Sequence, residues 1–173
     1  HSRFVGGRLR WPIESFAALA EGLIERYGAR VVFTGKGEEE AALIETTRAR
    51  MQNSARAVSA CDRFSIGELL AFLRRADLTV SNDTSVMHLS AVVDTPVVAF
   101  FGPTSPLQYG PLHPERHLVF YDDLYCSPCI TNYNLKVSYC SEPVCIRGIT
   151  VERVLEGIER DFLGAEARAQ GPV

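Results

Sequence analysis

The sequence predicts an α/β fold in which helices cover both faces of a parallel sheet, and three observations lead to it. Short apolar or β-branched runs alternate with helical segments along nearly the whole chain, which is the pattern of βαβ units. One run, residues 95–101, is almost continuously apolar, as expected of a strand that is buried on both faces. The length of 173 residues suits one domain, which we expect at 1–164, followed by a frayed tail at 165–173.

The first half of the chain is expected to hold three helices and two strands. Pro12 suits a first helical turn, and Gly28 is a typical residue to end the same helix. Acidic residues at 38–40 favour a helix start there, because the macrodipole attracts negative charge. Ser65 and Glu68 form a capping box, which begins a third helix. The predicted elements are a helix at 11–27, a strand at 29–34, a helix at 38–51, a weak strand at 55–60 and a helix at 65–75.

The second half is expected to continue the alternation, with right-handed connections between parallel strands. Apolar spacing through Val151, Val154, Leu155 and Ile158 indicates an amphipathic helix, for which Thr150 is the cap. The predicted elements are a strand at 76–81, a helix at 84–93, strands at 95–101 and 117–121, and a helix at 150–163.

Charge and hydropathy argue against two classes of function. The 18 basic and 21 acidic residues give a net charge of −3, which leaves no electrostatic footprint for nucleic acid. The longest apolar runs are strand-sized, far below the roughly 18 residues that a membrane helix needs. The chain shows no signal peptide and opens at His1 without an initiator methionine, so we expect a fragment of a longer protein or a tag remnant.

Three loops are expected at the carboxyl ends of the strands, where open α/β sheets bind ligands. They are 34–37, 81–85 and 101–106, and we expect all three at one edge of the sheet. Their small residues let a ligand approach the backbone, and two of them lead into helix starts, which attract anions such as phosphate. Residues 34–37 do not form a P-loop, and no G-x-G-x-x-G follows a strand.

The same loops also have purely structural interpretations, which the residues alone leave open. Asn82-Asp83-Thr84 is compatible with a plain helix cap, and Gly102-Pro103-Thr104 with an ordinary turn. His88 is compatible with a satisfied core or surface histidine. Thr84 and His88 nevertheless share one helical face, so the imidazole can lie beside the cap.

Four of the five cysteines cluster in a predicted loop at 122–146. Cys126, Cys129, Cys140 and Cys145 follow the pattern C-x2-C-x10-C-x4-C, which is compatible with a structural zinc site. Free thiols in a reducing compartment and disulfides are the alternatives, and both stay open at this point. Cys61 stands alone and is expected to be a small core residue.

A set of segments spread over nearly the whole chain carries a family resemblance. The segments are Arg10-Trp11-Pro12, 76–91, 95–106, Tyr109-Gly110-Pro111, Cys126-Ser127-Pro128-Cys129, Cys145-Ile146 and Ile149-Thr150. With them the chain resembles the C-terminal half of the ADP-heptose:lipopolysaccharide heptosyltransferases, glycosyltransferase family 9. The resemblance implies a GT-B glycosyltransferase, in which two Rossmann-like domains face each other across a cleft. This chain is then the second domain, a Rossmann-like parallel sheet that binds the nucleotide-sugar donor.

The resemblance also implies a donor site. The run Asp83-Thr84-Ser85 matches the family's Asp-Thr-Gly, which meets the diphosphate and the sugar, and His88 belongs to the Met-His that follows. An acidic residue after the glycine-rich turn, Glu38 or Glu39, matches the family's contact to the ribose. The implied donor-binding residues are Asp83, Thr84, Ser85, Val86, His88, Glu39, Lys36, Arg10, Gly102 and Thr104. Catalytic residues are expected only in the family's first domain, so this chain alone should not transfer sugar.

The sequence departs from the family pattern at two places that bear on this site. Ser85 stands where the family usually has glycine, which brings a wider side chain to the phosphates or turns it away from them. Arg8-Leu9-Arg10 stands where a lysine usually precedes Trp-Pro, so Arg8 or Arg10 would neutralise the diphosphate instead.

The implied activity is transfer of heptose, or a related sugar, from a nucleotide diphosphate to the lipopolysaccharide core. ADP-heptose is the implied donor, and the acceptor is bound through the first domain. No cofactor is expected for the transfer, because no metal-binding D-x-D pattern is present. Helix N–H groups and arginine would instead stabilise the charge that develops on the leaving diphosphate. The implied location is the cytoplasm, at the inner face of the bacterial inner membrane.

Two other classes of function remain as alternatives. One is a non-catalytic nucleotide-binding or zinc-stapled interaction module, and the other is an NAD-type oxidoreductase domain, which the missing G-x-G-x-x-G disfavours. Calorimetric titration with ADP, UDP and NAD separates these alternatives.

Overall fold

The computed structural model describes residues 10–134 and 137–163. The predicted tail at 165–173 and the candidate Arg8 therefore lie outside the described residues. The chain divides into two compact units. We call Pro12–Leu69 the N-terminal unit, and Trp11 together with the chain from Leu70 onward the C-terminal unit.

The N-terminal unit is built around a pair of parallel strands. Its elements are α1 (Ile13–Tyr27), β1 (Val31–Phe33), α2 (Glu38–Arg48), β2 (Ala57–Ser59) and the start of α3 (Ile66–Leu73). Val31 lies opposite Ala57 in the strand pair. The core of the unit consists of Ala17, Ala20, Ile24, Met51 and Ala57, with Val31 and Phe33 packed against it.

Local sequence signals set the helix ends of this unit. Gly28 ends α1 in the left-handed region, with φ of 66°, and its N–H donates to the Ile24 carbonyl at 2.9 Å. The capping box that begins α3 is confirmed. The Ser65 N–H donates to the Glu68 carboxylate at 2.8 Å, and the Glu68 N–H donates back to the Ser65 hydroxyl at 3.3 Å.

The C-terminal unit holds a three-stranded parallel sheet in the order β3-β4-β5. Its elements are β3 (Thr79–Asn82), α4 (Ser85–Val92), β4 (Val97–Phe101), α5 (Pro106–Tyr109), β5 (Leu118–Tyr121), α6 (Val144–Arg147) and α7 (Val151–Ile158). In this sheet Ser81 pairs with Ala99, and Ala99 pairs with Val119. All five residues of β4 are buried, which confirms the prediction drawn from its unbroken apolar run.

Trp11 anchors the core of the C-terminal unit. Its ring stacks on Phe100, with the ring centroids 4.2 Å apart, and its indole N–H donates to the Ile149 carbonyl at 2.8 Å. Helix α7 approaches β5 closely at Gly157, where a Cβ atom would lie 2.7 Å from Leu118 Cδ2. The predicted cap of α7 is confirmed, since the Thr150 hydroxyl accepts from the Arg153 N–H at 3.3 Å.

The α/β class and all five predicted strands are confirmed, and the structure differs from the prediction in four respects. The strands of the described residues form a two-stranded and a three-stranded sheet, where one sheet was expected. Helix α2 ends at Arg48 rather than at 51, and α7 passes into a π-helical turn at Glu159–Leu163. The single-turn helices α5 and α6 were not predicted, because four residues are too few to show helical periodicity. Among the described residues, no helix is long and apolar enough to cross a membrane.

Candidate functional site

The loops after β3 and β4 open at the same edge of the C-terminal sheet. The two strands are parallel neighbours, with Asn82 at the end of β3 paired to Phe100 in β4. The run Asp83-Thr84, which leads into α4, and residues 102–105, which lead into α5, therefore leave the sheet side by side. The structure thus brings together two of the three predicted loops.

The Thr84 side chain does not cap the start of α4. Thr84 precedes the helix in an extended conformation, with φ of −144° and ψ of 169°, and it makes no side-chain cap hydrogen bond. Its hydroxyl lies 2.9 Å from the hydroxyl of Ser81 instead. The first turn of α4 also contains no acidic residue. The plain-cap interpretation is therefore wrong for the Thr84 side chain, and the helix start suits an anion.

The side chains of this turn divide by exposure. Thr84, Ser85 and His88 are exposed, whereas Asp83 and Val86 are half-buried. Between them Met87 is fully buried and packs in the cluster with Val97, Ala99 and Phe101. Helix α4 thus fixes its position through Met87 while it leaves the hydroxyl and imidazole groups of its first turns in solvent.

Asn82 lies in the predicted 81–85 loop but was not among the predicted donor-binding residues, and its distant partner was not predicted. Its side-chain oxygen accepts from the Trp11 N–H at 2.9 Å, across 71 residues of sequence. The half-buried Arg10, the residue before Trp11, is thereby held beside the last residue of β3. The local sequence shows only that an amide side chain ends an apolar strand. It does not show that this side chain bonds to a residue 71 positions away.

Gly102 has a packing role in the loop after β4. The residue is buried, and a Cβ atom there would lie 2.9 Å from Ile146 Cβ and 3.1 Å from Cys145 Sγ. The Ser127 hydroxyl donates to the Gly102 carbonyl. Gly102 therefore lets α6 approach the loop, and the half-buried Thr104 is the predicted site residue of this loop that remains partly accessible.

The cysteine-rich segment is attached to the same loop. All five cysteines carry free thiols, with Cys126 and Cys140 exposed, Cys129 half-buried and Cys145 buried. Burial, and then the neighbouring thiols of Cys129, Cys140 and Cys126, raise the pKa of the Cys145 thiol. Within 10–134 and 137–163, no group of three or more metal-binding side chains has the geometry to hold an ion. A zinc site at these four cysteines stays a prediction.

The third predicted loop, 34–37, belongs to the N-terminal unit and differs in charge from the start of α4. Lys36 and Glu39 are exposed, and Glu39 is one of three glutamates in the first turn of α2. The Gly37 N–H, at the start of this helix, already donates to both carboxylate oxygens of Asp62, at 3.0 and 3.1 Å. Carboxylates favour groups that donate hydrogen bonds, such as sugar hydroxyls, and they disfavour phosphates.

Comparison with known proteins relates the chain to one enzyme family. The model of glycosyltransferase family 9 (heptosyltransferase) matches residues 8–139. Lipooligosaccharide heptosyltransferase 2 of Campylobacter jejuni is 28% identical over 151 residues, which cover 87% of this chain and 46% of that protein. Lipopolysaccharide heptosyltransferase 2 of Escherichia coli K12 is 28% identical over 166 residues, covering 94% of this chain and 45% of its own.

Solved structures show the same relation. A glycosyl transferase of family 9 from Veillonella parvula superposes with a TM-score of 0.70 at 27% identity, covering 92% of this chain and 44% of that one. The ADP-heptose lps heptosyltransferase II of E. coli gives a TM-score of 0.74 at 25% identity, covering 94% and 44%. The chain therefore spans about half the length of the relatives that it matches.

Proposed function

This chain belongs to glycosyltransferase family 9, and on that premise we propose that it is the donor-binding half of a sugar transferase. The transferase moves heptose, or a related sugar, from a nucleoside diphosphate to the lipopolysaccharide core, at the inner face of the bacterial inner membrane. The observation that carries the proposal is the start of α4, which follows a parallel strand, has no acidic residue in its first helical turn and is not capped by the Thr84 side chain. The names of the matched relatives supply the sugar and the acceptor.

The diphosphate is assigned to the start of α4. The N–H groups of a first helical turn and the helix dipole together favour negative charge. The exposed hydroxyl of Ser85 can donate a hydrogen bond to a phosphate oxygen, and Arg10, which precedes the Trp11 that is bonded to the end of β3, supplies a positive charge. Glu39 is assigned to the ribose hydroxyls, because carboxylates accept hydrogen bonds from them.

These groups also suit the chemical step. When the sugar leaves the donor, negative charge develops on the diphosphate. Donors that already point at the diphosphate stabilise this charge without reorganisation, and loss of one such donor typically costs about 2.7–4 kcal/mol of barrier. We assign the base that activates the acceptor to the other half of the transferase.

A charge introduced at the start of α4 tests the assignment. We expect Ser85→Asp to lower ADP affinity at least about tenfold in calorimetric titration, because a carboxylate beside the helix N–H groups repels phosphate. The same change should keep or raise the thermal midpoint, since a helix start favours negative charge. Adenosine, which has no phosphate, should bind equally to both proteins.

The control is Gln52→Glu, which adds one negative charge at an exposed position and should leave ADP binding unchanged. Equal ADP affinity of Ser85→Asp and the unmodified chain would remove the diphosphate from α4. Absence of heat with ADP, UDP and NAD would favour the interaction module instead. That alternative has one observation in its support, the fully exposed aromatic rings of Tyr125, Tyr133 and Tyr139.

A further inference from the structure

Asp62 joins the loops that follow the two strands of the N-terminal unit. The backbone bond from the Ala60 N–H to the Phe33 carbonyl, at 2.8 Å, extends the pairing of β1 and β2 beyond their ends. The Asp62 N–H then donates to the Gly35 carbonyl at 3.0 Å. In return the Gly37 N–H donates to both Asp62 carboxylate oxygens, at 3.0 and 3.1 Å. Asp62 thus contacts the 34–37 loop through its backbone and through its side chain.

The backbone of Asp62 is adapted to this contact. Its φ of 56° lies in the left-handed region, where few residues other than glycine, asparagine and aspartate are found. An aspartate side chain tolerates this conformation and adds two acceptors that a glycine lacks. The conformation turns the Asp62 N–H to one end of the loop and the carboxylate to the other.

The far side of the same loop is closed by helix α2. A Cβ atom at Gly35 would lie 2.9 Å from Glu40 Cβ and 3.3 Å from Ile44 Cδ1, so the loop backbone lies directly against the helix. The Cys61 Sγ is 3.7 Å from the Gly37 carbonyl oxygen. The loop is therefore held on both sides, while the Lys36 and Glu39 side chains remain exposed.

We propose that Asp62 is a positioning residue for the nucleoside end of the donor, acting through the 34–37 loop and the start of α2. This rests on the proposed function, which assigns Glu39 to the ribose. In this role Asp62 acts on the loop, through its bonds to Gly37, and not on the donor itself. Its carboxylate fixes Gly37, and Gly37 sets the direction in which Lys36 and the first glutamates of α2 leave the backbone.

Two substitutions at Asp62 separate the carboxylate from the backbone conformation. Asn and Gly both tolerate the left-handed region, but only Asn keeps an acceptor for the Gly37 N–H. We expect Asp62→Gly to lower the affinities for adenosine and for ADP equally, by about tenfold. This is the size of effect expected from the loss of one charge-assisted hydrogen bond. Asp62→Asn should restore most of that affinity. Asp77→Gly, at an exposed aspartate before β3, is the control and should leave both affinities unchanged.

The Gly37 amide signal in an NMR spectrum reports on the contact without any nucleotide. In Asp62→Gly this amide should lose its protection from hydrogen exchange. An unchanged Gly37 amide in Asp62→Gly, or a loss of affinity for ADP without one for adenosine, would overturn the role of Asp62. If the unmodified chain bound neither ligand, the proposed function would fail, and the Gly37 amide would still decide whether Asp62 positions the loop.

Discussion

At the scale of single residues, His117 illustrates how a half-buried polar group is satisfied. Its Nδ1 accepts from the Val97 N–H at 3.2 Å, and its Nε2 lies 2.9 Å from the Leu112 carbonyl oxygen. Only a neutral imidazole can accept at Nδ1 while its Nε2–H donates. Burial, as the largest effect, lowers the pKa of His117, and the charge of Arg116 lowers it as well.

The lowered pKa of His117 predicts that stability falls as the pH drops. In the pH range between the folded pKa and the ordinary value of about 6.5, the unfolded chain binds more protons than the folded chain. The free energy of unfolding therefore rises with pH in this range, and the stabilisation is complete above it. The free energy of unfolding, measured with urea at several pH values between 5 and 8, should rise less steeply with pH for His117→Gln than for the unmodified chain. Identical slopes would contradict the assignment.

The site residues that the sequence analysis missed share one physical property. Asn82 and Asp62 act through partners 71 and 25 residues away, and Ser127 reaches Gly102 over 25 residues. Helix caps could be predicted, because their donors and acceptors lie within four residues of each other. Long-range pairs depend on the tertiary fold, which residue spacing alone does not contain.

At the scale of elements, long periodic or apolar segments were predictable and single turns were not. Strand β4 and helix α7 each bury several apolar residues, so the apolar run of β4 and the amphipathic spacing of α7 are visible in the sequence. The turn α5 begins at Pro106 and has no buried residue, so no apolar pattern marks it. The loop at 34–37 was predicted as a turn, but its attachment to the loop after β2 was not.

The packing of α6 on the loop after β4 predicts a cost for one added methyl group. Gly102→Ala should lower the free energy of unfolding by about 1–3 kcal/mol, because Ile146 and Cys145 leave no room for a Cβ. Gly67→Ala is the matched control, since nothing lies within 4 Å of its Cβ position in helix α3. This change should raise stability by about 0.5–1 kcal/mol. Equal effects in urea unfolding would refute the packing role of Gly102.

The cysteine-rich segment gives a prediction about metal. If Cys126, Cys129, Cys140 and Cys145 bind zinc, the purified chain should contain about one zinc ion, and chelation should lower its thermal midpoint. Because the Ile130 N–H donates to the Pro103 carbonyl at 2.8 Å, chelation should also weaken ADP binding through the loop after β4. Cys129→Ser should lose the metal, whereas Cys61→Ser, in the other unit, should keep it. A chain without zinc that is indifferent to chelator would end this hypothesis.

At the scale of the whole molecule, the family and the α/β fold agree with the layout predicted from the sequence. The alternation of strands and helices was visible along the chain, and the superposition on two family 9 structures confirms it. The division into two compact units was not predicted, because the strands of the described residues are all parallel and alternate with helices in both units, so the pattern does not change at the boundary.

Ligand binding should stabilise the molecule as a whole. At an ADP concentration of about 100 Kd, binding adds about 2.7 kcal/mol to the free energy of unfolding. For a chain of this size, we expect the thermal midpoint to rise by roughly 5–10 °C. Ser85→Asp should show no such rise at the same ADP concentration. An unmodified chain whose midpoint does not respond to saturating ADP would count against donor binding.

The contacts of Trp11 have a consequence for how the chain folds during synthesis. The indole bonds to Ile149, which is 138 residues further along the chain, and its ring covers Phe100 in the central strand. The core of the C-terminal unit therefore cannot close until the ribosome has released nearly the whole of the described chain. Pro12–Leu69 lies between the two partners in sequence and makes its core from its own residues, so it can form before Trp11 reaches Ile149. Closure of so distant a pair is slow, which predicts that the core around Trp11 is completed last.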